Sequence, residues 1–427
     1  GNDTLRVWTL DLANRKIKPE EVSMGQNKRI IKCIEVTHDD QFAYCGTTTG
    51  DILAINMSSH NLNSLSSAKE RCGGRGVTCL SLLKTGDLIV GGGDGQLAVF
   101  KGVTEKLKRV NSKKVMLTGG ALTSIALRGE GHQFFVGTSE SNIYRISFSD
   151  FASTLLTTCH YAEVKDVCFP PQTSALFVTA SYQDVRVWSP DCDQELLRIN
   201  VPNMTCNAVQ VAPDGRSIIS GWDDGVLRAF YPESGKPMYQ IKDVHGGGIT
   251  ALALYSDSRH IVTGGMQGDV RVWEVTMSSN FKGQPCFITK LLFKLHEHKA
   301  SVTCIKVRSD DRECISSSID GSCIIWDLDK RCRNQMIRVN TLFKYVCYHP
   351  ANHQIITTGT DRKIGYFETY DGSMIRELPG SMSGAINAMD ISDCGNYIVS
   401  GGDDKLVKVW RYDEGEVTHI GIGHSAP

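Results

Sequence analysis

The sequence has almost no net charge, little proline and no long apolar run. Its 46 Lys and Arg are matched by 47 Asp and Glu, a net charge of −1, so wholesale attraction to nucleic acid or to an anionic membrane surface is not expected. No stretch of 18 consecutive apolar residues occurs and no signal peptide is visible, so no helical membrane span is expected and a cytosolic compartment is. Only 12 prolines are spread over 427 residues, and no Pro/Ser-rich spacer divides the chain. None of the 15 cysteines forms a C-x-x-C pair, and Cys314, Cys323 and Cys332 lack zinc-site spacing. Cys33, Cys79, Cys168, Cys206, Cys304 and Cys347 fall inside predicted strands, where a reduced thiol serves as a small buried hydrophobe.

What is present is a repeat. Residues 301–327, SVTCIKVRSDDRECISSSIDGSCIIWD, read as three short strands joined by tight turns: an apolar hexamer, a β-prone run, a turn at Ile319-Asp320-Gly321, and a third run ending in Trp326-Asp327. The hexamer returns with starts at Ile31, Val77, Leu122, Val164, Cys206, Ile249, Val302, Phe343 and Ile386, spaced by 41 to 53 residues. Its first, fourth and sixth positions are apolar in every copy. Its third is often small (Cys33, Cys79, Ser124, Ala208, Ala251, Cys304, Ala388), with Asp166 and Tyr345 as exceptions. A second marker, a large side chain on the third strand, recurs at Trp8, Ile55, Phe100, Ile146, Trp188, Phe230, Trp273, Trp326, Phe367 and Trp410.

This period, the strand content and the Trp326-Asp327 pair resemble the WD40 repeat, which implies an all-β fold: a WD40 β-propeller of four-stranded blades. Ten third strands exceed the roughly eight blades of one ring, so parts of two rings are expected. Residues 1–155 are assigned three blades plus a stray strand, and residues 156–427 six blades of a ring whose last blade is missing. The resemblance also implies a hydrogen-bonded structural tetrad, which position gives to Asp320, His298, Ser318 and Trp326. Elsewhere the tetrad is expected only in part, with Gly402 in the serine slot beside Asp404 and Trp410, and Gln267 in the aspartate slot beside His245 and Trp273.

Other motifs point away from catalysis. His296-Glu297-His298 offers two metal-ligand types, but residues two apart on a strand need further ligands, and none is evident. The run Gly91-Gly92-Gly93-Asp94-Gly95 leads into a strand, whereas a phosphate cradle would lead into a helix N-terminus, so it reads as a hairpin turn. No nucleophile, base or metal constellation stands out, and neither a catalytic residue nor a cofactor is expected. Two segments exceed the pattern, 58–76 and 277–290, and surface insertions on a rigid scaffold often carry contacts. The densest basic stretch comprises Lys101, Lys106, Lys108, Arg109, Lys113 and Lys114, a candidate contact with an acidic partner.

Segments LRGEGHQF at 127–134, VPNMTC at 201–206, GTDRKI at 359–364 and YDEGEVTH at 412–419 go beyond the generic repeat. They resemble the cilia- and flagella-associated WD-repeat proteins of axonemal doublet microtubules. That resemblance implies a non-enzymatic microtubule inner protein contacting tubulin and neighbouring inner proteins, with neither nucleic acid, membrane nor small-molecule substrate as partner. It also implies two seven-bladed rings, of which this chain would lack the opening blades and the last. An exchangeable WD40 adaptor, such as a substrate receptor of a ubiquitin ligase, shares the fold and is the alternative.

Overall fold

In the computed structural model, residues 4–11, 14–25, 28–66, 71–72, 74–101, 108–111, 117, 120–129, 132–171, 173–192, 194–279 and 285–426 are described. All regular structure among them is β, in antiparallel sheets joined in chain order. In most sheets the hexamer is the first strand, as in Val302–Val307, followed by Glu313–Ser318, Ser322–Asp327 and Cys332–Arg338; the hexamer at Val164 is strand only over Asp166–Cys168, and that at Cys206 ends the longer strand Gln194–Val211.

The spacing of apolar residues at positions one, four and six violates the strict alternation of a strand, and the register explains it. Between the first and third hexamer residues the pairing slips by one: Val302 faces Ser318, but Cys304 faces Ser317. The same irregularity recurs at Ile31/Cys33, Val77/Cys79, Leu122/Ser124, Cys206/Ala208, Ile249/Ala251, Phe343/Tyr345 and Ile386/Ala388. A bulge leaves the second residue unpaired and turns the first to the face that carries the fourth and sixth. In the sheet spanning 302–338, Val302 and Ile305 therefore lie together with Trp326 against Val262, Val270 and Val272 of the preceding sheet. Cys304, now on the other face, meets Phe343 and Val346 of the next. A sheet with a neighbour on each side is thus sealed on both faces, which is why its strands read as nearly continuous apolar runs.

The chain divides into two compact units, Gly1–Tyr161 and Ala162–Pro427. The division lies after Tyr161 rather than at residue 155, because strand Ser153–Thr158 pairs with Asn142–Ser147 and completes the sheet that precedes it. The stray strand of the first unit is also not alone: Arg6–Asp11 pairs with Lys16–Glu21, whose alternating charges hid a fourth strand. Among the described residues, the first unit holds this pair and three four-stranded sheets.

The second unit holds six blades, two of them fused through the 18-residue strand Gln194–Val211, which is outermost in one blade and innermost in the next. The first strands of these blades line a cavity of about 540 Å³. The ring does not close. In the first blade Val164, Val167 and Phe169 are 51%, 55% and 57% exposed, although the matching Val302 and Ile305 are buried by a preceding blade. In the last blade Val399 and Ile420 are likewise uncovered.

Candidate functional site: the polar network within the blades

The strongest candidate constellation lies in the blade spanning 302–338. Trp326 reaches back along its strand, and its indole Nε1 donates to Ser316 Oγ at 2.7 Å. Ser316 Oγ is 2.8 Å from His298 Nε2, while His298 Nδ1 lies 3.2 Å from Asp320 Oδ2 and 3.0 Å from Ser322 Oγ. Asp320 in turn accepts the backbone N–H groups of Lys299 at 2.8 Å and Ser322 at 2.9 Å. One assignment satisfies every atom: neutral His298 donates from Nδ1 to the carboxylate and accepts Ser316 O–H at Nε2.

The expected serine is corrected. Ser318 points along the same face but donates to Ala300 O at 3.1 Å and accepts Asp320 N–H at 3.2 Å, fixing the turn instead. The reason is cross-strand reach. Trp326 stands opposite Cys314 and Ser316 opposite Ile324, so the indole spans one diagonal step to Ser316; Ser318 lies a further two residues away. The same two-residue offset corrects the blade spanning 386–422, where Trp410 Nε1 donates to Ser400 Oγ at 2.8 Å and Gly402 is not in the slot. Thr179, Ser220 and Thr263 occupy the position elsewhere, accepting from Trp188 (2.7 Å), Trp222 (2.8 Å) and Trp273 (3.3 Å).

Electrostatics mark these groups as structural. Burial holds the His298 pKa below its ordinary value despite the opposing pull of Asp320. Burial alone would raise Asp320, but hydrogen bonds from Ser322 and Lys299 and the nearby His298 outweigh it and hold the carboxyl low. Ser316 is fully buried and its oxygen is committed to two partners, so it presents no face to a substrate. His296, two residues before His298, instead meets Asp269, so the two histidines diverge and share no metal site.

Where the histidine is absent, ion pairs fill the interior. Arg186, 1% exposed, meets Asp184 at 2.6 Å and Glu195 at 3.0 Å. Arg228 meets Asp224 at 2.6 Å, and Lys408 meets Asp404 at 2.7 Å and Gly380 O at 2.8 Å. The third-position exceptions also find a place. Asp166 accepts Val209 N–H at 2.8 Å, with burial pushing its carboxyl up to about 6, and Lys306 Nζ lies 5.3 Å above the Tyr345 ring. Sequence reasoning missed Ser316 and Ser322 because their roles depend on register, which the repeat pattern leaves free by two residues; it singled out Asp166 and Tyr345 without their partners.

Of the basic stretch, Lys101 is exposed and lies 3.9 Å from Asp87. Lys108 and Arg109 belong to strand Lys108–Asn111, paired with Lys101 and Phe100. Lys106, Lys113 and Lys114 lie outside the described residues.

Bulged first strands, four-stranded blades and an indole–hydroxyl–histidine–carboxylate network define a WD40-repeat β-propeller protein, and the family profile "WD domain, G-beta repeat" matches residues 235–274, 289–327 and 372–411. The chain is similar along its whole length to proteins named cilia- and flagella-associated protein 52: 54% identical to that of Mus musculus, 53% to that of Homo sapiens and 41% to that of Chlamydomonas reinhardtii. It belongs to that family. The chain spans 66% of the length of the mouse and human proteins and 67% of the algal one.

Proposed function

We propose that the chain is part of a non-enzymatic structural scaffold of motile cilia and flagella, a microtubule inner protein that braces axonemal doublets by contacting tubulin and neighbouring inner proteins. The observation that carries this reading is the end-to-end similarity to relatives named for cilia and flagella in both mammals and a green alga. A blade series whose buried polar groups are spent on one another supports it, because such a scaffold offers rigid surface rather than a reactive cleft.

The test is localisation of the tagged full-length protein in a motile cell, followed by extraction of isolated axonemes. Retention on doublets through detergent and a salt wash is the expected result. Recovery in the soluble cytosolic fraction, in complex with a ubiquitin ligase, would overturn the reading in favour of the adaptor.

A further inference from the structure

The blade spanning 343–379 keeps the hydroxyl and the carboxylate of the preceding blade's network and lacks the two rings that join them. Counted from the first residue of each hexamer, the two blades match position for position: Thr357 stands where Ser316 does, Asp361 where Asp320 does, Val339 where His298 does and Phe367 where Trp326 does. The strand pairing agrees, since Thr357 faces Gly365 as Ser316 faces Ile324. Val339 and Phe367 offer no hydrogen-bonding side chain, so the hydroxyl of Thr357, a residue 3% exposed, has neither of the partners that hold Ser316. Asp361 Oδ1 accepts Lys363 N–H at 3.2 Å, as Asp320 Oδ1 accepts Ser322 N–H at 2.9 Å, but with Val339 in the histidine position no imidazole meets its other oxygen among the described residues.

Space is left between these groups. Val339, Phe343, Thr357, Asp361, Gly365 and Phe367 line a cavity of about 10 Å³, bordered by the exposed Lys363–Glu377 ion pair. That is room for about one water molecule and for no larger ligand. Glycine keeps the space open: a Cβ at Gly365 would come 2.8 Å from the Phe367 ring and 2.9 Å from Thr357 Oγ1, closer than side-chain carbons pack. An apolar cavity stays dry, but here a hydroxyl and carboxylates share the wall, and a buried hydroxyl left unbonded is costly.

We infer that one water molecule is built into this blade, accepting a hydrogen bond from Thr357 Oγ1 and donating to a bordering carboxylate, Asp361 or Glu377. It takes the part that the His298 imidazole plays in the preceding blade, so the network is completed by solvent where the sequence supplies no ring.

The test compares two neighbouring threonines in the full chain. Thr358 is 1% exposed, lies on the opposite face of the strand, and its hydroxyl is buried without a partner among the described residues. Thr357→Val should deprive the water of its anchor and lower the melting temperature by about 2–4 °C, the shift that loss of about one hydrogen bond brings to a unit of this size. Thr358→Val should leave it unchanged or raise it. A rise with Thr357→Val, or equal shifts in the two variants, would overturn the site by making the cavity dry. A high-resolution crystal structure of the wild type, which needs neither variant, should place one ordered solvent peak about 3 Å from Thr357 Oγ1 and from a carboxylate oxygen of Asp361 or Glu377. An empty cavity, or a peak that misses Thr357 Oγ1, would overturn the inference as well.

Discussion

Ser316 and Ser318 sit two residues apart on one strand, are equally buried, and have opposite consequences for the network. Ser316→Ala should cost about 1–3 kcal/mol by orphaning the indole N–H and the imidazole Nε2, and should shift the Trp326 indole N–H resonance. Ser318→Ala should weaken the turn at Asp320 and leave that resonance in place. A shift seen only with Ser318→Ala would reverse the register argument. His245 supplies a pH dependence of definite sign. Burial first, then Arg271, lowers its pKa from 6.5 to about 4, so between those values the unfolded chain holds a proton that the folded chain refuses. Stability is therefore whole above about pH 6.5 and falls by roughly 3 kcal/mol as the pH drops to about 4, the buried His298 adding to the same trend. Denaturant midpoints of wild type and His245→Gln across this range check it, the variant being expected to show the shallower decline.

A blade is stable in proportion to what covers it, and an interior blade and the first blade of the second unit show the difference. Ile305, covered by the preceding blade, should cost about 2–5 kcal/mol when cut to alanine. Val167, its counterpart in the first blade and 55% exposed, should cost well under about 1 kcal/mol, because the site has little burial to lose. Urea melts of the two variants measure this, and equal losses would mean that Val167 is covered in solution. Much of this level was readable beforehand: hexamer starts at Ile31, Val77, Ile249, Val302, Phe343 and Ile386 are strand starts in the structure. What was not readable was the cause of the 1-4-6 pattern, since a bulge is a relation between two strands and leaves its trace in one only as a slipped period. Lys16–Glu21 escaped for a related reason: an exposed outer strand is chosen by its partner's free edge, and its own sequence is that of a charged loop.

At the scale of the whole chain, the repeat puts the unit boundary near residue 155, because it marks where blades begin and is silent about which outer strand closes them. The chain's net charge of −1 gives the basic stretch no long-range attraction to an acidic lattice to build on. Any electrostatic hold must then be local. Lys108 and Arg109 belong to the strand that is outermost in its sheet among the described residues. Charges acting there across water are screened over about 8 Å at physiological ionic strength, which makes the contact sensitive to salt. The triple variant Lys106→Glu/Lys108→Glu/Arg109→Glu is therefore expected to keep the wild-type melting curve and to leave isolated doublets at lower salt than wild type does. Measuring the fraction retained through a graded salt wash decides it: an unchanged release point would remove this strand from the binding surface.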